Sequence, residues 1–419
     1  MTRIVIYSAD PWDSAISYLR IREPAYYLGW ELIPAKTDGG IDTHIAKDAD
    51  YIIIQRDFPR FVQCNEIIQI AKQKGIPLIY EIDDWIFYTP DSNKQYEAYR
   101  YYLNGILNTI IAADRVIISS KFLYRQLINF NKHVFLFPNY LPENIWKIKS
   151  LEIDNSENLT IGYMGGNTHD QDLEWVTPVL LKILEQNKNV SIKIWGCRPP
   201  QQLLDQPKVQ DLAIDFQNYP QFAEYFQNQS CDVFIAPLLD SPFDQGKSGI
   251  KFLEYSALGI PGVYKRLDPY IDYVVDGENG YLAWGLDEWY EQIMSLLSDS
   301  NIRHRFAENA QITVRQHVMS KHFREWETAI NGSSIQTEIV DDMTHDNSPL
   351  DLIQHISIHT QKAIWDIQNI IASLKQENHD LENENLGLKE HLDNVLNSQT
   401  WKIAKIIQSI LRVFKFQKE

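Results

Sequence analysis

The stretch Gly246-Lys-Ser-Gly-Ile-Lys-Phe-Leu-Glu-Tyr-Ser-Ala-Leu-Gly-Ile-Pro-Gly262 decides the fold, because it predicts a helix placed between two strands. Residues 231–238 ahead of it form a short apolar run that includes Pro237, a pattern typical of a buried parallel strand. Gly259 is expected to end the helix, and residues 260–264 begin the next strand. This order predicts a strand, helix and strand unit of an α/β fold.

The start of this helix carries the features of an anion site. Its first residues are Ser248, Gly249 and Ile250, and backbone N–H groups at a helix start are free to bind a phosphate. Lys247 and Lys251 flank this opening with positive charge. Glu254 stands about one turn beyond Lys251, and its carboxylate is suited to accept hydrogen bonds from two ribose hydroxyls. We therefore predict a nucleotide site in this segment.

This order of parts resembles the donor-binding segment of retaining GT-B glycosyltransferases of family 4, the glycosyl transferases group 1. That family carries two Glu residues with seven residues between them, and the second Glu is followed by Ala, Gly and Pro. The matching residues here are Gly249, Glu254, Ala257, Gly259 and Pro261. The turn Asp276-Gly-Glu-Asn-Gly280 and the pair Pro138-Asn139 match two further family motifs. The resemblance covers roughly residues 1–330.

The resemblance implies a GT-B fold, in which two Rossmann-like domains face a cleft. It also implies transfer of a sugar from a nucleoside diphosphate sugar, with retention of configuration and without a metal or other cofactor. Two departures stand out. Gly246 replaces the first Glu of the family pair, and residues 162–172 lack the Arg and Lys that the family carries there. Lys247 and Lys251 are the candidates to compensate for the missing cations.

Composition limits the possible functions. A chain of 419 residues allows two or three domains, and a formal net charge of -17 argues against a nucleic-acid binder. Three scattered cysteines without a Cys-x-x-Cys pair favour neither a disulfide framework nor a structural zinc site. The N-terminus lacks a signal-peptide pattern, and no apolar run reaches the ~18 residues of a membrane span. We expect a cytoplasmic protein, soluble or peripheral at the inner face of the membrane.

The first predicted domain, residues 1–150, alternates short strands with segments of helix length. The five predicted strands are residues 4–7, 51–54, 77–80, 115–118 and 133–137. Such alternation predicts a parallel sheet, whose ligands bind beyond the carboxyl ends of the strands. The second predicted domain, residues 151–331, is expected to bind the nucleotide sugar, which leaves the first domain to the acceptor.

Three charged residues of the first domain are site candidates. Asp83 and Asp84 follow the third predicted strand and are expected to position the acceptor hydroxyl or the donor sugar. The alternative is that one of them caps the next helix. Arg20 follows the first strand and is predicted to hold an acidic acceptor or a phosphate, although a surface arginine explains it equally well.

The second domain adds four candidates. Gly165 and Gly166 end its first predicted strand, and glycine allows a ligand to approach the backbone closely. His169 follows in the same loop as a catalytic candidate, with a structural role as the alternative. Arg198 follows the next strand, residues 190–195, and is a weaker candidate for binding phosphate.

Residues 332–349 are polar and aperiodic, as expected of a linker. Residues 350–399 then repeat apolar residues every seven positions. One column is Ile367, Leu374, Leu381, Leu388 and Val395, and the other is Ile364, Ile371, Asn378, Asn385 and Leu392. Leu at d with Asn at a favours a parallel dimeric coiled coil. The alternative is an amphipathic helix folded onto the body.

The final segment, residues 400–419, reverses the acidic character of the chain. It carries five basic residues against one acidic residue, Glu419, in an amphipathic pattern. Such a pattern is typical of a helix that lies on a membrane surface. Simple continuation of the predicted dimer is the alternative.

Two functions are consistent with these observations. The first is a glycosyltransferase that acts on a glycan or a lipid-linked acceptor. The second is a non-catalytic GT-B module that serves as a dimeric scaffold, because Gly246 has replaced a family carboxylate. The cations around an intact helix start favour the enzyme.

Overall fold

The computed structural model of the chain describes residues 1–37, 40–151, 156–166, 169–212, 214, 218–332, 349–398, 401, 403–405 and 408. Residues Met1–Ser357 form one compact unit, and Ile358–Glu419 form a second. The first unit contains both predicted α/β domains.

The first domain is built on a six-stranded parallel sheet. The strands of this domain are β1 (Arg3–Tyr7), β2 (Glu31–Pro34), β3 (Lys36–Thr37), β4 (Gly40–Ile41), β5 (Tyr51–Gln55), β6 (Leu78–Ile82), β7 (Arg115–Ile118) and β8 (Val134–Leu136). Strands β3 and β4 form a small antiparallel hairpin apart from the sheet. The sheet order is β2-β1-β5-β6-β7-β8. The central strands are nearly all apolar and buried on both faces, as expected of a parallel sheet covered by helices.

Helices and shorter turns connect these strands. The α-helices are α1 (Ala15–Ser17), α2 (Glu23–Leu28), α3 (Phe61–Lys74), α4 (Tyr96–Arg100), α5 (Leu103–Ala112) and α6 (Lys121–Leu127). A π-helical turn spans Tyr18–Arg22, and 3-10 turns span His44–Asp48 and Ile86–Tyr88.

The second domain repeats this architecture. Its strands are β9 (Leu159–Met164), β10 (Val190–Trp195), β11 (Val209–Leu212), β12 (Val233–Ala236), β13 (Gly262–Lys265) and β14 (Tyr281–Ala283), in the parallel order β11-β10-β9-β12-β13-β14. Its helices are α7 (Asp170–Gln186), α8 (Gln201–Leu204), α9 (Tyr219–Phe226), α10 (Pro242–Gln245), α11 (Ile250–Ala257), α12 (Asp268–Ile271), α13 (Leu286–Ser298) and α14 (Ser300–Gln316). Two Rossmann-like sheets confirm the predicted α/β GT-B fold class.

The chain then returns to the first domain. Helix α15 (Met319–Asn331) packs on α2, and its buried Trp326 lies 5.7 Å from the ring of Trp30. Trp326 and Ile330 join an apolar cluster with Ile4 of β1. The last helix of the predicted second domain therefore contributes to the core of the first, and this crossover fastens the two domains together.

A single long helix, α16 (Pro349–Asn397), covers the predicted coiled-coil region. Leu352 and Ile356 in its first two turns are 5% and 2% exposed and pack in the core of the first domain. From Ile364 onward the apolar residues of both predicted columns are exposed within this chain. Among the described residues, no helix is long and apolar enough to cross a membrane. Most of the predicted tail, residues 400–419, lies outside the described residues.

Candidate functional site

Two adjacent strands of the second sheet bring the predicted donor residues together. Strands β9 and β12 pair in parallel, so the segments that follow their carboxyl ends share one edge of the sheet. Gly165, Gly166 and His169 follow β9, and the segment from Lys247 to Lys251 follows β12. These are the positions at which the sequence predicts a ligand.

The start of α11 has the form of an anion site. Gly249 is its N-cap residue and provides no side chain to satisfy the first N–H groups of the helix, which begins at Ile250. A Cβ at Gly249 would lie 2.3 Å from the Pro269 carbonyl oxygen, so only glycine fits there. The Ser248 hydroxyl accepts a 2.9 Å hydrogen bond from the amide of Asn139, which belongs to the first domain.

Lys251 is the unusual cation of this site. It is only 8% exposed, and its amine has no hydrogen-bond partner among the described residues. Burial lowers the pKa of Lys251 to about 8, against the opposing effect of the Asp172 carboxylate. A buried ammonium without a partner is costly, and such a group is well placed to receive an anion.

Lys247 makes different contacts. Its amine lies 3.1 Å from the Asp84 carboxylate of the first domain and 4.1 Å from the centre of the Phe243 ring. Lys247 is therefore held by an ion pair across the two domains, whereas Lys251 has no such partner among the described residues.

Asp83 and Asp84 share the guanidinium of Arg56. The Arg56 Nε donates to Asp83 at 2.7 Å, and the Nη2 donates to Asp84 at 3.1 Å. Burial opposes ionisation of Asp83, but Arg56 outweighs it and lowers the pKa of this carboxyl. Arg56 itself has a φ of 55°, in the left-handed region that a non-glycine residue rarely adopts. No local pattern in the sequence points to Arg56, because only the tertiary fold brings it to the two carboxylates.

Glu254 is buried in the second turn of α11. Its carboxylate accepts a 2.7 Å hydrogen bond from the hydroxyl of Tyr219, which in turn accepts from the Trp146 indole at 3.0 Å. Burial raises the pKa of Glu254 to about 7, while the Tyr219 hydrogen bond and Lys251 act against this rise. A ribose at Glu254 would therefore share this carboxylate with Tyr219.

His169 forms a pair that the sequence analysis did not identify. Its Nδ1 lies 2.6 Å from an oxygen of Asp172, whose other oxygen accepts from the Leu239 amide at 2.8 Å. Burial lowers the pKa of His169 well below its usual value, and it raises the pKa of Asp172 to about 6. The imidazole is therefore neutral at pH 7, and Asp172 fixes its orientation. Asp172 stands three residues after His169, a spacing that could have indicated the pair.

Asp244 is a second acidic residue that the sequence analysis missed. It lies on α10, is 7% exposed and accepts a 2.5 Å hydrogen bond from the Ser241 hydroxyl. Burial raises the pKa of Asp244 to about 7, and the negative charge of Asp172 adds to this effect. Asp244 stands two residues before Gly246, and this position could have indicated it as a site candidate.

The structure gives a steric reason for Gly246. A Cβ at this position would lie 2.6 Å from the Trp85 Cβ and 2.9 Å from the Trp85 backbone nitrogen. The first domain therefore occupies the space that a side chain at position 246 would need.

The two predicted arginines lie in contrasting surroundings. Arg20 has no exposed surface, pairs with Glu81 at 2.7 Å and donates to the Phe137 carbonyl and to the Asn139 amide oxygen. The remaining guanidinium nitrogen of Arg20, Nη2, is buried and has no hydrogen-bond partner among the described residues. Binding of an acceptor or a phosphate by Arg20 stays a prediction. The Arg198 side chain is exposed, and its backbone N–H donates to Asp170 at 3.1 Å.

Among the described residues, no cluster of His, Cys, Asp and Glu could hold a metal ion.

Comparison with known proteins supports this interpretation of the second domain. Residues 144–313 match the family model described as glycosyl transferases group 1. No curated protein sequence gives a significant match.

Three solved structures share the fold. HepE of Anabaena, in complex with UDP and glucose, gives a TM-score of 0.58 at 14% identity, with 80% of this chain and 100% of that chain covered. A glycosyltransferase of Rickettsia africae gives 0.57 at 13% identity, covering 80% and 99%. WaaG, a glycosyltransferase involved in lipopolysaccharide biosynthesis, gives 0.54 at 12% identity, covering 79% and 100%.

Proposed function

We propose that this chain, a glycosyltransferase whose residues 144–313 match the glycosyl transferases group 1, transfers a sugar from a nucleoside diphosphate sugar. The observation that carries this proposal is the buried amine of Lys251, which has no hydrogen-bond partner in the described part of the chain and belongs to the uncapped first turn of α11. A diphosphate is the chemical group that satisfies both features at once.

In the proposed reaction, negative charge accumulates on the diphosphate as it leaves the sugar. The N–H groups at the start of α11, together with Lys247 and Lys251, stabilise this charge. We propose that the reaction retains the anomeric configuration and proceeds without a metal ion or another cofactor. Lys247 would have to exchange its contact with Asp84 for one with the diphosphate.

The remaining groups are assigned by their surroundings. Glu254 binds the ribose, and Gly165 and Gly166 let the donor approach the backbone beyond β9. A Cβ at Gly166 would meet no described residue within 4 Å. Asp83, Asp84 and the neutral His169 lie near the transferred sugar in this proposal. Arg198, which is exposed, is the outermost candidate for the phosphate.

The acceptor is proposed to be a glycan or a lipid-linked saccharide that enters from the first domain. The predicted coiled coil, residues 350–399, would form a parallel homodimer through the part that follows Ile356, because Leu352 and Ile356 pack in the first domain. Residues 400–419 would contact the inner face of the membrane. Deleting residues 400–419 should then reduce co-flotation with anionic phosphatidylserine vesicles, and added salt should weaken the binding of the full chain. Unchanged co-flotation after deletion would refute the membrane contact.

A donor panel tests the central proposal. UDP-glucose is the first candidate, because a second HepE structure contains it. We expect one donor to raise the melting temperature of the full-length protein and to be hydrolysed slowly. Lys251→Ala should show a smaller melting shift and lose the hydrolysis, whereas Lys188→Ala, a change at an exposed lysine, should retain both responses. A protein that ignores every donor would instead be the non-catalytic scaffold.

A further inference from the structure

The first two turns of α16 belong to the body of the protein. Leu352 and Ile356 lie in the same apolar cluster as Trp85, Phe87 and Phe122 of the first domain. The beginning of α16 and the turn that directly follows the carboxylates Asp83 and Asp84 therefore share one apolar core.

His355 makes a directed contact with this turn. Its Nε2 lies 2.8 Å from the Phe87 carbonyl oxygen, which can only accept, so Nε2 carries the proton. The imidazole also stacks on the Tyr88 ring, with centroids 4.0 Å apart and an interplanar angle of 18°. Tyr88 in turn lies nearly parallel to Trp85, at 6.3 Å and 15°.

The other side of the same turn faces the second domain. The 3-10 turn Ile86–Tyr88 contacts α10, and the backbone of Trp85 leaves no space for a Cβ at Gly246. Asp84, one residue earlier, holds Lys247 at 3.1 Å. The turn is thus packed between the beginning of α16 and the segment that leads into the candidate donor site.

We propose that residues 350–356 form a brace, in which His355 is a positioning residue that holds Asp84 and Trp85 against the Gly246–Lys247 segment. This inference rests on the proposed function only in treating Lys247 as a donor-site residue. His355 touches no reacting atom in this proposal. It acts through the Phe87 carbonyl and the Tyr88 ring.

Amide hydrogen exchange on the full-length protein without any donor tests the brace. The turn amides of Ile86 and Tyr88 donate to Asp84 and Trp85 carbonyls, and the amides of Gly246 and Lys247 donate within α10. These four amides report opening on both sides of the domain boundary. We expect His355→Ala to accelerate their exchange about tenfold or more.

Matched variants separate positioning from stability. His355→Gln keeps an N–H donor for Phe87 and should restore much of the protection, whereas His355→Phe keeps the ring and should not protect the Ile86 and Tyr88 amides. His379→Ala, at an exposed position of the same helix, should change nothing.

Two results would overturn the brace. One is unchanged exchange at all four amides in His355→Ala. The other is a uniform acceleration across the first domain with a lower melting temperature, which indicates a purely structural role. Because no donor is present, either result is independent of whether the protein transfers a sugar.

Discussion

The Asp84 carboxylate of the first domain and the Lys247 amine of the second lie 3.1 Å apart, directly beside the start of α11. Further polar contacts join the same two domains, including Lys121 with Asp272 at 2.6 Å and Asn139 with Ser248 at 2.9 Å. The structure therefore shows the two domains in contact across the cleft. It also gives Lys247 a partner that a phosphate would have to replace.

Asp84→Asn should lower turnover at least tenfold and leave donor affinity unchanged or tighter. The substitution removes a carboxylate from the proposed sugar site, where general acid or base groups typically contribute about 100-fold or more. It also frees Lys247 for the diphosphate. Steady-state kinetics and calorimetry on the purified variant would separate these effects.

Asp272→Asn is the matched control for Asp84→Asn, because it breaks another ion pair between the domains. Both partners of that pair are more than a third exposed, and exposed pairs contribute little. Turnover should therefore be unaffected. Equal losses in the two variants would assign Asp84 to domain contact alone.

Donor affinity should fall as the pH rises through about 8. Burial lowers the pKa of Lys251 to about 8, so the free protein loses this positive charge above that pH. An anionic ligand favours the charged amine, so its binding should be accompanied by proton uptake in this range. Affinity for UDP should then decrease by up to about tenfold per pH unit.

Calorimetry in buffers of different ionisation enthalpy measures this proton uptake. Lys251→Ala should abolish the uptake and flatten the pH profile. Lys247→Ala keeps Lys251 and should retain the decline. An affinity for UDP that stays constant from pH 7 to 9.5 in the wild type would contradict the role of Lys251.

Glu254→Gln should weaken donor binding, whereas Lys247→Ala and Lys251→Ala together should lower turnover more strongly. A ribose contact is similar in the ground state and the transition state, so its loss mainly affects binding. Losing one charge-assisted hydrogen bond costs roughly 1.5–3 kcal/mol, which corresponds to about a tenfold to hundredfold loss of affinity.

Tyr219→Phe is an informative companion to Glu254→Gln, because it removes only the hydroxyl that donates to the Glu254 carboxylate at 2.7 Å. It should weaken donor binding less than Glu254→Gln. Retention of binding and turnover by all of the Glu254, Lys247 and Lys251 variants would place the donor site elsewhere.

The sequence predicted the sheets and the position of the Lys247–Glu254 segment after a strand, because both depend on local patterns. Apolar strands alternate with helices, and the residues from Lys247 to Glu254 lie on one short stretch of chain. Position relative to a strand end was sufficient for these residues.

Burial and contacts between domains could not be predicted in this way. Arg20 has the same local pattern whether it is exposed or, as found, paired with Glu81 inside the first domain. Arg56 meets Asp83 and Asp84 only because β5 and β6 are neighbours in the sheet. The heptad pattern likewise predicted a helix, but it gave no sign that Leu352 and Ile356 enter the core of the first domain.

Gly246→Ala should open the contact between the domains. The added Cβ would lie 2.6 Å from the Trp85 Cβ and 2.9 Å from the Trp85 nitrogen, so the backbone must move. Overpacking of this kind typically costs about 1–3 kcal/mol. Gly285→Ala is the control, since a Cβ there meets none of the residues that the structure describes within 4 Å. We expect a lower melting temperature and slower turnover for Gly246→Ala alone, and two indistinguishable variants would contradict the steric account.

Charges in the predicted d column should dissociate a dimer formed by α16. Leu374 and Leu381 are more than half exposed within this chain, and in a parallel coiled coil they would be buried against a second copy. Leu374→Asp combined with Leu381→Asp places unpaired charges in that seam. Sedimentation should show a monomer for this variant and a dimer for the wild type.

The control for the coil carries the same charges on another face of the helix. Gln376 and Asn383 lie outside both apolar columns. The double variant Gln376→Asp with Asn383→Asp should therefore leave the dimer intact. Deletion of residues 358–419 tests the coil more cleanly than deletion from residue 350, because it keeps Leu352 and Ile356 in the first domain. A full-length monomer, or a dimer that survives this shorter deletion with equal affinity, would exclude α16 as the dimer interface.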